Sequence, residues 1–144
     1  MNRIAIAFAI FAGSLVVGLT SIEAAIAPHT PEELKKKAKN ILVGKALKVT
    51  SKIREYRTSS GELYRDKVFT TTIQVEKVSK GTGIKAGELV TVETWTPHYR
   101  PKLIAGWQGL AELPKKGEKF RLYLERKKGK VFIPVFPNGM SLVT

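Results

Sequence analysis

Cysteine is absent from this chain of 144 residues. Disulfides, thiolate metal sites and covalent cysteine catalysis are therefore excluded, as is lipid attachment through a cysteine. Histidine is nearly as scarce, with two residues, and the sequence contains neither a Gly-x-Ser-x-Gly elbow nor a His-Glu-x-x-His motif. Because most hydrolytic and metal-dependent sites need such residues, we expect a non-enzymatic protein with no cofactor and no bound metal.

Acidic residues are also in the minority. The 25 Lys and Arg residues oppose 12 Asp and Glu residues, which gives a net charge of +13 at neutral pH. Such an excess favours anionic partners: an acidic protein, an acidic polymer, lipid headgroups or nucleic acid. The hydrophobic fraction of 43% is that of an ordinary globular domain, so we expect one packed core rather than disorder.

Residues 1–27 have the layout of a secretory signal. Arg3 is followed by an uncharged apolar stretch up to Leu19 and then by small residues. The alternative is an uncleaved membrane anchor, since the apolar stretch is about long enough to cross a bilayer. Either interpretation predicts an exported protein, located in the periplasm, in the cell envelope or outside the cell. Contact with a membrane is then expected only through an uncleaved N-terminal segment, and nucleic acid becomes an unfavoured partner.

Residues 28–40 contain a predicted helix. Thr30 is suited to the N-cap, Pro31 to the first turn and Glu33 to a capping box. We predict a helix over residues 31–39 with a narrow apolar stripe formed by Leu34 and Ala38. The lysines that follow are typical of a solvated face.

Residues 41–144 are predicted to form a β domain, because the hydrophobic period changes to two at residue 41. The first strand starts there, and its apolar face is predicted to consist of Ile41, Val43, Leu47, Val49 and Ile53. Four further strands are predicted at about residues 64–78, 88–94, 119–124 and 130–136. The terminal segment 140–143 can add a sixth strand.

The strand pattern over residues 41–136 matches the layout of an OB-type barrel: five strands, with the longest connection between the third and the fourth. In this pattern the chain resembles small exported OB-like domains of the netrin-like and metalloproteinase-inhibitor kind. The resemblance implies a five-stranded all-β barrel. Those inhibitors act through an N-terminal cysteine, which is lacking here, so no inhibitory residue is carried over. A sandwich or meander of five to seven strands is the alternative.

The first and fourth strands of an OB-type barrel are neighbours, which predicts a positive outer face. Its candidate binding residues are Lys48, Lys52, Arg54, Lys119 and Arg121. Strands two and three, the usual nucleic-acid face, carry no row of aromatic residues on which bases could stack. We therefore expect attachment to an acidic protein or envelope polymer. Scattered solubilising charge is the other interpretation, and a nucleic-acid-binding OB domain remains an alternative function.

The connection at residues 95–109 is the second candidate site. It contains both tryptophans, Trp95 and Trp107, around His98, Tyr99 and Arg100. Long connections are often functional, and exposed aromatic residues beside cations form binding surfaces. We select His98, Tyr99 and Arg100 as binding residues. The alternative is that the tryptophans close an open end of the barrel.

A small hydrolase or metal-dependent enzyme centred on His98 is the alternative function of another class. It would need Glu93 or Glu112 beside the imidazole.

Overall fold

The computed structural model describes residues 27–102, 109–110 and 112–144. The predicted export segment up to residue 26 and Trp107 lie outside these residues. Within them, no helix is both long and apolar enough to cross a membrane.

The described chain is mainly β. One short helix precedes six strands: α1 (Pro31–Lys37), β1 (Asn40–Arg57), β2 (Leu63–Lys80), β3 (Leu89–Tyr99), β4 (Lys119–Lys128), β5 (Val131–Pro134) and β6 (Met140–Leu142). The predicted all-β class is confirmed, including the sixth strand. β1, β2 and β3 are much longer than the four to eight residues of an ordinary strand.

Five of the strands form a closed, barrel-like ring in the order β1-β2-β3-β5-β4, and β4 returns to β1. The β3–β5 pair is parallel, and the other pairs in the ring are antiparallel. β6 pairs with Phe120–Leu122 of β4, on the edge that faces away from β1 and that β5 uses farther along the strand. The predicted contact between the first and fourth strands is confirmed.

The core lies inside this ring and follows the predicted alternation on β2, β3 and β4. Its largest fully buried side chains include Ile73, Val90, Val92, Phe120, Leu122, Leu124 and Phe132. Each such side chain contributes about 1.5–3 kcal/mol when it leaves water. The interior is therefore packed with side chains, and function is expected on the outer faces and at the ends.

The predicted apolar face of β1 is wrong over residues 41–47, whereas Val49 packs against the core as predicted. Leu42 and Ala46 enter the core, whereas Leu47 is 38% exposed. The register shift at Ala46/Lys48 leaves Leu47 as an extra residue in β1 and inverts the alternation of its faces there. The shift at Val43/Gly44 instead places its extra residue, Glu76, in β2. At its start β1 is buried on both faces, because α1 covers the outside. A period of two could not identify the inner face there.

The N-terminus of α1 has the predicted capping box. The backbone N–H of Thr30 donates to Glu33 Oε2 (2.8 Å), and the N–H of Glu33 donates to Thr30 Oγ1 (3.3 Å). The hydrogen bond from the Thr30 backbone N–H is the main reason that the pKa of the Glu33 carboxyl is lowered. The helix ends at Lys37, two residues earlier than predicted, because Ala38 is extended.

α1 packs against the outside of the barrel. Leu34 and Ala38 form a buried cluster with Ile41, Tyr123 and Val135, which confirms the predicted stripe. The helix therefore lies over the β1–β4 side of the ring and brings its lysines to that face.

Candidate functional site

The structure divides the predicted positive face into two groups. Lys119 pairs with Lys45 and Arg121 with Val43, so both lie where β4 borders β1. The second group, Lys48, Lys52 and Arg54, lies farther along β1, beyond the Lys45–Lys119 pair. At roughly 3.3 Å per residue, Lys52 lies about 23 Å along the strand from Lys45.

Two of the five cations are already paired within the protein. Arg54 Nη2 lies 3.1 Å from Asp66 Oδ2, and Lys119 Nζ lies 2.8 Å from Glu76 Oε2. Among the described residues, Lys48, Lys52 and Arg121 have no carboxylate oxygen within 4.0 Å. An external anion can therefore bind these three cations without breaking an ion pair within the protein.

A groove between α1 and the barrel collects further cations. This α1 groove has a volume of about 550 Å³ and is lined by Lys35, Ile41, Ser79, Lys80, Arg121 and Tyr123. Lys80 Nζ donates a hydrogen bond to the backbone carbonyl of Lys35 (2.7 Å), and this bond holds the Lys80 side chain beside α1. None of the lining residues is acidic.

The floor of the α1 groove is apolar, because Ile41 and Tyr123 are buried beneath it. Charges next to a low-dielectric floor interact more strongly with a bound ion than charges fully surrounded by water. Sequence reasoning selected Arg121 but missed Lys35 and Lys80, which come together only because α1 folds back over the end of β2.

Arg100 is anchored inside the protein. Its Nη2 lies 2.6 Å from Oδ1 of Asp66, whose side chain is 2% exposed, and Arg54 contacts the other carboxylate oxygen. Arg100 Nη1 donates to the carbonyls of Arg65 and Tyr99, both at 2.9 Å. The Arg100 side chain is only 10% exposed, so most of its binding capacity is used internally.

His98 and Tyr99 lie on β3 and not in a loop, because this strand continues to Tyr99 instead of ending at residue 94. Tyr99 pairs with Arg65 of β2, and His98 falls at a register irregularity beside it. The Arg65 guanidinium lies 5.7 Å from the centre of the Tyr99 ring. Both predicted binding residues are exposed, Tyr99 to 45%.

The carboxylates suggested as partners of His98 have other contacts. Glu93 Oε1 accepts a hydrogen bond from Lys127 Nζ (2.8 Å), and Glu112 Oε2 accepts one from the backbone N–H of Leu142 (2.7 Å). Across residues 27–102, 109–110 and 112–144, no three His, Asp or Glu side chains are grouped closely enough to hold a metal ion.

Charge is balanced at the far end of the long β1–β2 hairpin. Arg65 Nε lies 2.8 Å from Glu55 Oε2, and Lys102 Nζ lies 2.7 Å from Glu62 Oε1. The hydrogen bond to Glu62 is the main reason that the pKa of Lys102 is raised. Among the described residues, cations without a carboxylate oxygen within 4.0 Å include Lys35 and Lys80 beside α1 and Lys48 and Lys52 on β1.

Trp95 lies where β3 continues past its short pairing with β5. Its ring stacks on Phe136, with centroids 6.3 Å apart and planes 4° from parallel. Both rings line a pocket of about 180 Å³ together with Leu110 and Pro134. The Trp95 carbonyl also accepts a hydrogen bond from the N–H of Leu110 (3.1 Å).

Searches against protein-family models, curated proteins and solved structures found no significant match.

Proposed function

We propose that this protein is an exported, non-enzymatic binding module that engages an anionic partner, an acidic protein or an envelope polymer, through the α1 groove. One observation carries the proposal: the groove collects Lys35, Lys80 and Arg121 and has no acidic residue in its lining. Elsewhere among the described residues, the carboxylates of Glu55, Glu76 and Asp66 are already paired with cations.

Neighbouring lysines extend the positive potential beyond the groove. Arg121, Val43 and Lys77 form one row across β4, β1 and β2, which places two cations about 10 Å apart on either side of a valine. Lys36 and Lys37 of α1 add exposed charge nearby. Such a field attracts an anion over a distance comparable with the Debye length and accelerates its association.

The same proposal assigns the ring to the OB-type barrels. The adjacency of β1 and β4 and the five-stranded closure support it. The α1 groove lies on the β4-β1-β2 side of the ring, whereas nucleic-acid-binding OB domains use mainly strands two and three. This difference favours an acidic protein or polymer over nucleic acid.

Changing Lys35, Lys80 and Arg121 together to glutamine is expected to weaken binding to poly-glutamate about tenfold, because three contacts of roughly 0.5 kcal/mol each are lost. The matched control changes Lys115, Lys116 and Lys128 to glutamine, which removes the same charge from exposed positions outside the groove. Fluorescence titration at two salt concentrations measures both affinities. Equal weakening in the two variants would show that attraction is spread over the whole surface, and the groove proposal would then fail.

The surface around Tyr99 is a second candidate, favoured by the exposure of this ring beside Arg65. If it captures a protein or small ligand, Tyr99→Ala is expected to remove capture and to change the thermal midpoint by less than about 3 °C, since an exposed side chain contributes little to stability. Pull-down from envelope extract together with a thermal melt checks this. Undiminished capture by the variant excludes the Tyr99 surface.

A further inference from the structure

β1 has an unpaired edge along its second half. β4 pairs with β1 only over residues 40–45, and the last cross-links are made by Ala46, whose N–H donates to the Glu118 carbonyl and whose carbonyl accepts from the Gly117 N–H. β2 continues to pair with the opposite side of β1 as far as Arg57. Among the described residues, no strand therefore pairs with this side of residues 47–57, which we call the β1 edge.

The β1 edge lacks most of the devices that protect natural sheet edges. Such edges are usually short, charged by side chains such as lysine, interrupted by proline or bulges, or covered by another element. This edge contains no proline, its only bulge lies at its beginning, and residues 50–57 are all exposed. It also carries three exposed large hydrophobic side chains, those of Leu47, Ile53 and Tyr56.

Side chains along the β1 edge have opposite character on the two faces of the sheet. Lys48 and Lys52 lie on one face, together with Thr50, and have no carboxylate partner in the described part of the chain. Val49 and Ile53 lie on the other face. A strand that continued the sheet here would match it best with acidic residues opposite the lysines and apolar residues opposite Val49 and Ile53.

A second copy of the protein does not fit this requirement. Antiparallel pairing of two β1 edges centred on Thr50, for example, would set Lys48 of one copy against Lys52 of the other. Like charges directly opposite each other destabilise a strand pair. The lysines thus oppose self-association and leave the edge open to an acidic strand.

We propose that the β1 edge binds an extended acidic segment of a partner protein as an additional antiparallel strand. Main-chain hydrogen bonds to residues 47–57 would supply affinity, and Lys48 and Lys52 would supply the preference for acidic side chains. The edge lies outside the α1 groove, so this inference goes beyond the proposed function and can hold or fail independently of it.

The test uses a labelled peptide of about ten residues in which glutamate and valine alternate. Its control has the same sequence with alternate backbone amides methylated, which keeps the charge and removes the main-chain donors. We expect the unmodified peptide to bind and to slow hydrogen exchange of β1 amides in residues 48–57, and the methylated peptide to bind at least about tenfold more weakly. Equal binding of both peptides, or no protection of β1, would overturn strand addition.

Variants of the protein locate the peptide. Lys48→Gln with Lys52→Gln is expected to weaken binding about three- to tenfold, because two cross-strand charge pairs are lost. Lys115→Gln with Lys116→Gln removes the same charge and should leave the affinity unchanged. In the groove variant at Lys35, Lys80 and Arg121, the peptide should still slow hydrogen exchange of the β1 edge. The proposal would be contradicted if the peptide no longer slowed hydrogen exchange of β1 in the groove variant. It would also be contradicted if a single-stranded oligonucleotide slowed this exchange as much as the peptide does.

Discussion

Replacing Arg100 by alanine is expected to lower the free energy of unfolding by about 2–3 kcal/mol, which corresponds to a thermal midpoint about 10 °C lower for a domain of this size. The physical reason is the Asp66 carboxylate, which is 2% exposed and would lose its shortest ion pair. A buried charge that loses its partner is costly, because water cannot replace the lost contact. Arg54 still reaches the other oxygen, so the cost stays below that of a fully unpaired ion.

The matched control for this prediction is Arg65→Ala. Arg65 also combines an ion pair with a tyrosine contact, but its guanidinium is 42% exposed and its partner Glu55 is 53% exposed. Exposed pairs of this kind contribute about 0.2–1 kcal/mol. Urea denaturation should therefore separate the two variants clearly. Similar small losses in both would mean that Arg100 has no structural role and would return it to the binding candidates.

A double-mutant cycle isolates the pair itself. Asp66→Ala combined with Arg100→Ala removes the buried carboxylate together with its partner, so the double variant should be more stable than the sum of the single losses predicts. An additive result would indicate that Arg100 stabilises the protein through its contacts with Tyr64 and the backbone carbonyls instead.

Gly44→Ala is expected to cost about 3 kcal/mol, at the upper end of the range for overpacked sites. Gly44 pairs with Val75 on one side and with Phe120 on the other, at the point where the ring closes. An added Cβ would collide with the side chain of Ile73 and lie 2.7 Å from the Gln74 carbonyl oxygen. A strand held on both sides cannot move away from a backbone atom without loosening the neighbouring pair.

Gly61→Ala is the comparison for this change. Gly61 has a φ of +84° in the turn between β1 and β2, and an added Cβ would have no neighbour within 4 Å. Only backbone strain of about 1–2 kcal/mol is expected there. Urea denaturation of both variants measures the difference. If Gly44→Ala costs no more than Gly61→Ala, β1 is not held tightly at the ring closure.

The elements predicted correctly from sequence are those specified by neighbouring residues. The capping box depends on two residues three positions apart, and the inward rows of β3 and β4 follow simple alternation. β1 departs from this rule because the bulge at Leu47 changes the phase within the strand. β3 was predicted to end at residue 94, whereas its pairing with β2 continues through Pro97 to Tyr99.

The candidate sites were harder to predict because their contacts join distant parts of the chain. Asp66 holds Arg54 through the β1–β2 register and Arg100 through the end of β3. No local pattern marks Asp66 as a buried carboxylate that occupies both arginines. Likewise, Lys35 appears in sequence as part of a solvated run, and only the position of α1 places it beside Lys80. Burial and pairing therefore determine which of the many cations are available.

Closure of the ring also has a consequence for how the protein folds. β1 must pair with β4, which joins Lys45 to Lys119 although most of the domain's sequence lies between them. β3 must also pair in parallel with β5. Contacts this distant in sequence slow folding to milliseconds or seconds, because the chain loses much entropy before they form. Until β4 has been synthesised, Leu42 and Ala46 have no complete core to enter. Until its last third is available, the newly made chain therefore exposes apolar side chains and strand edges that favour aggregation.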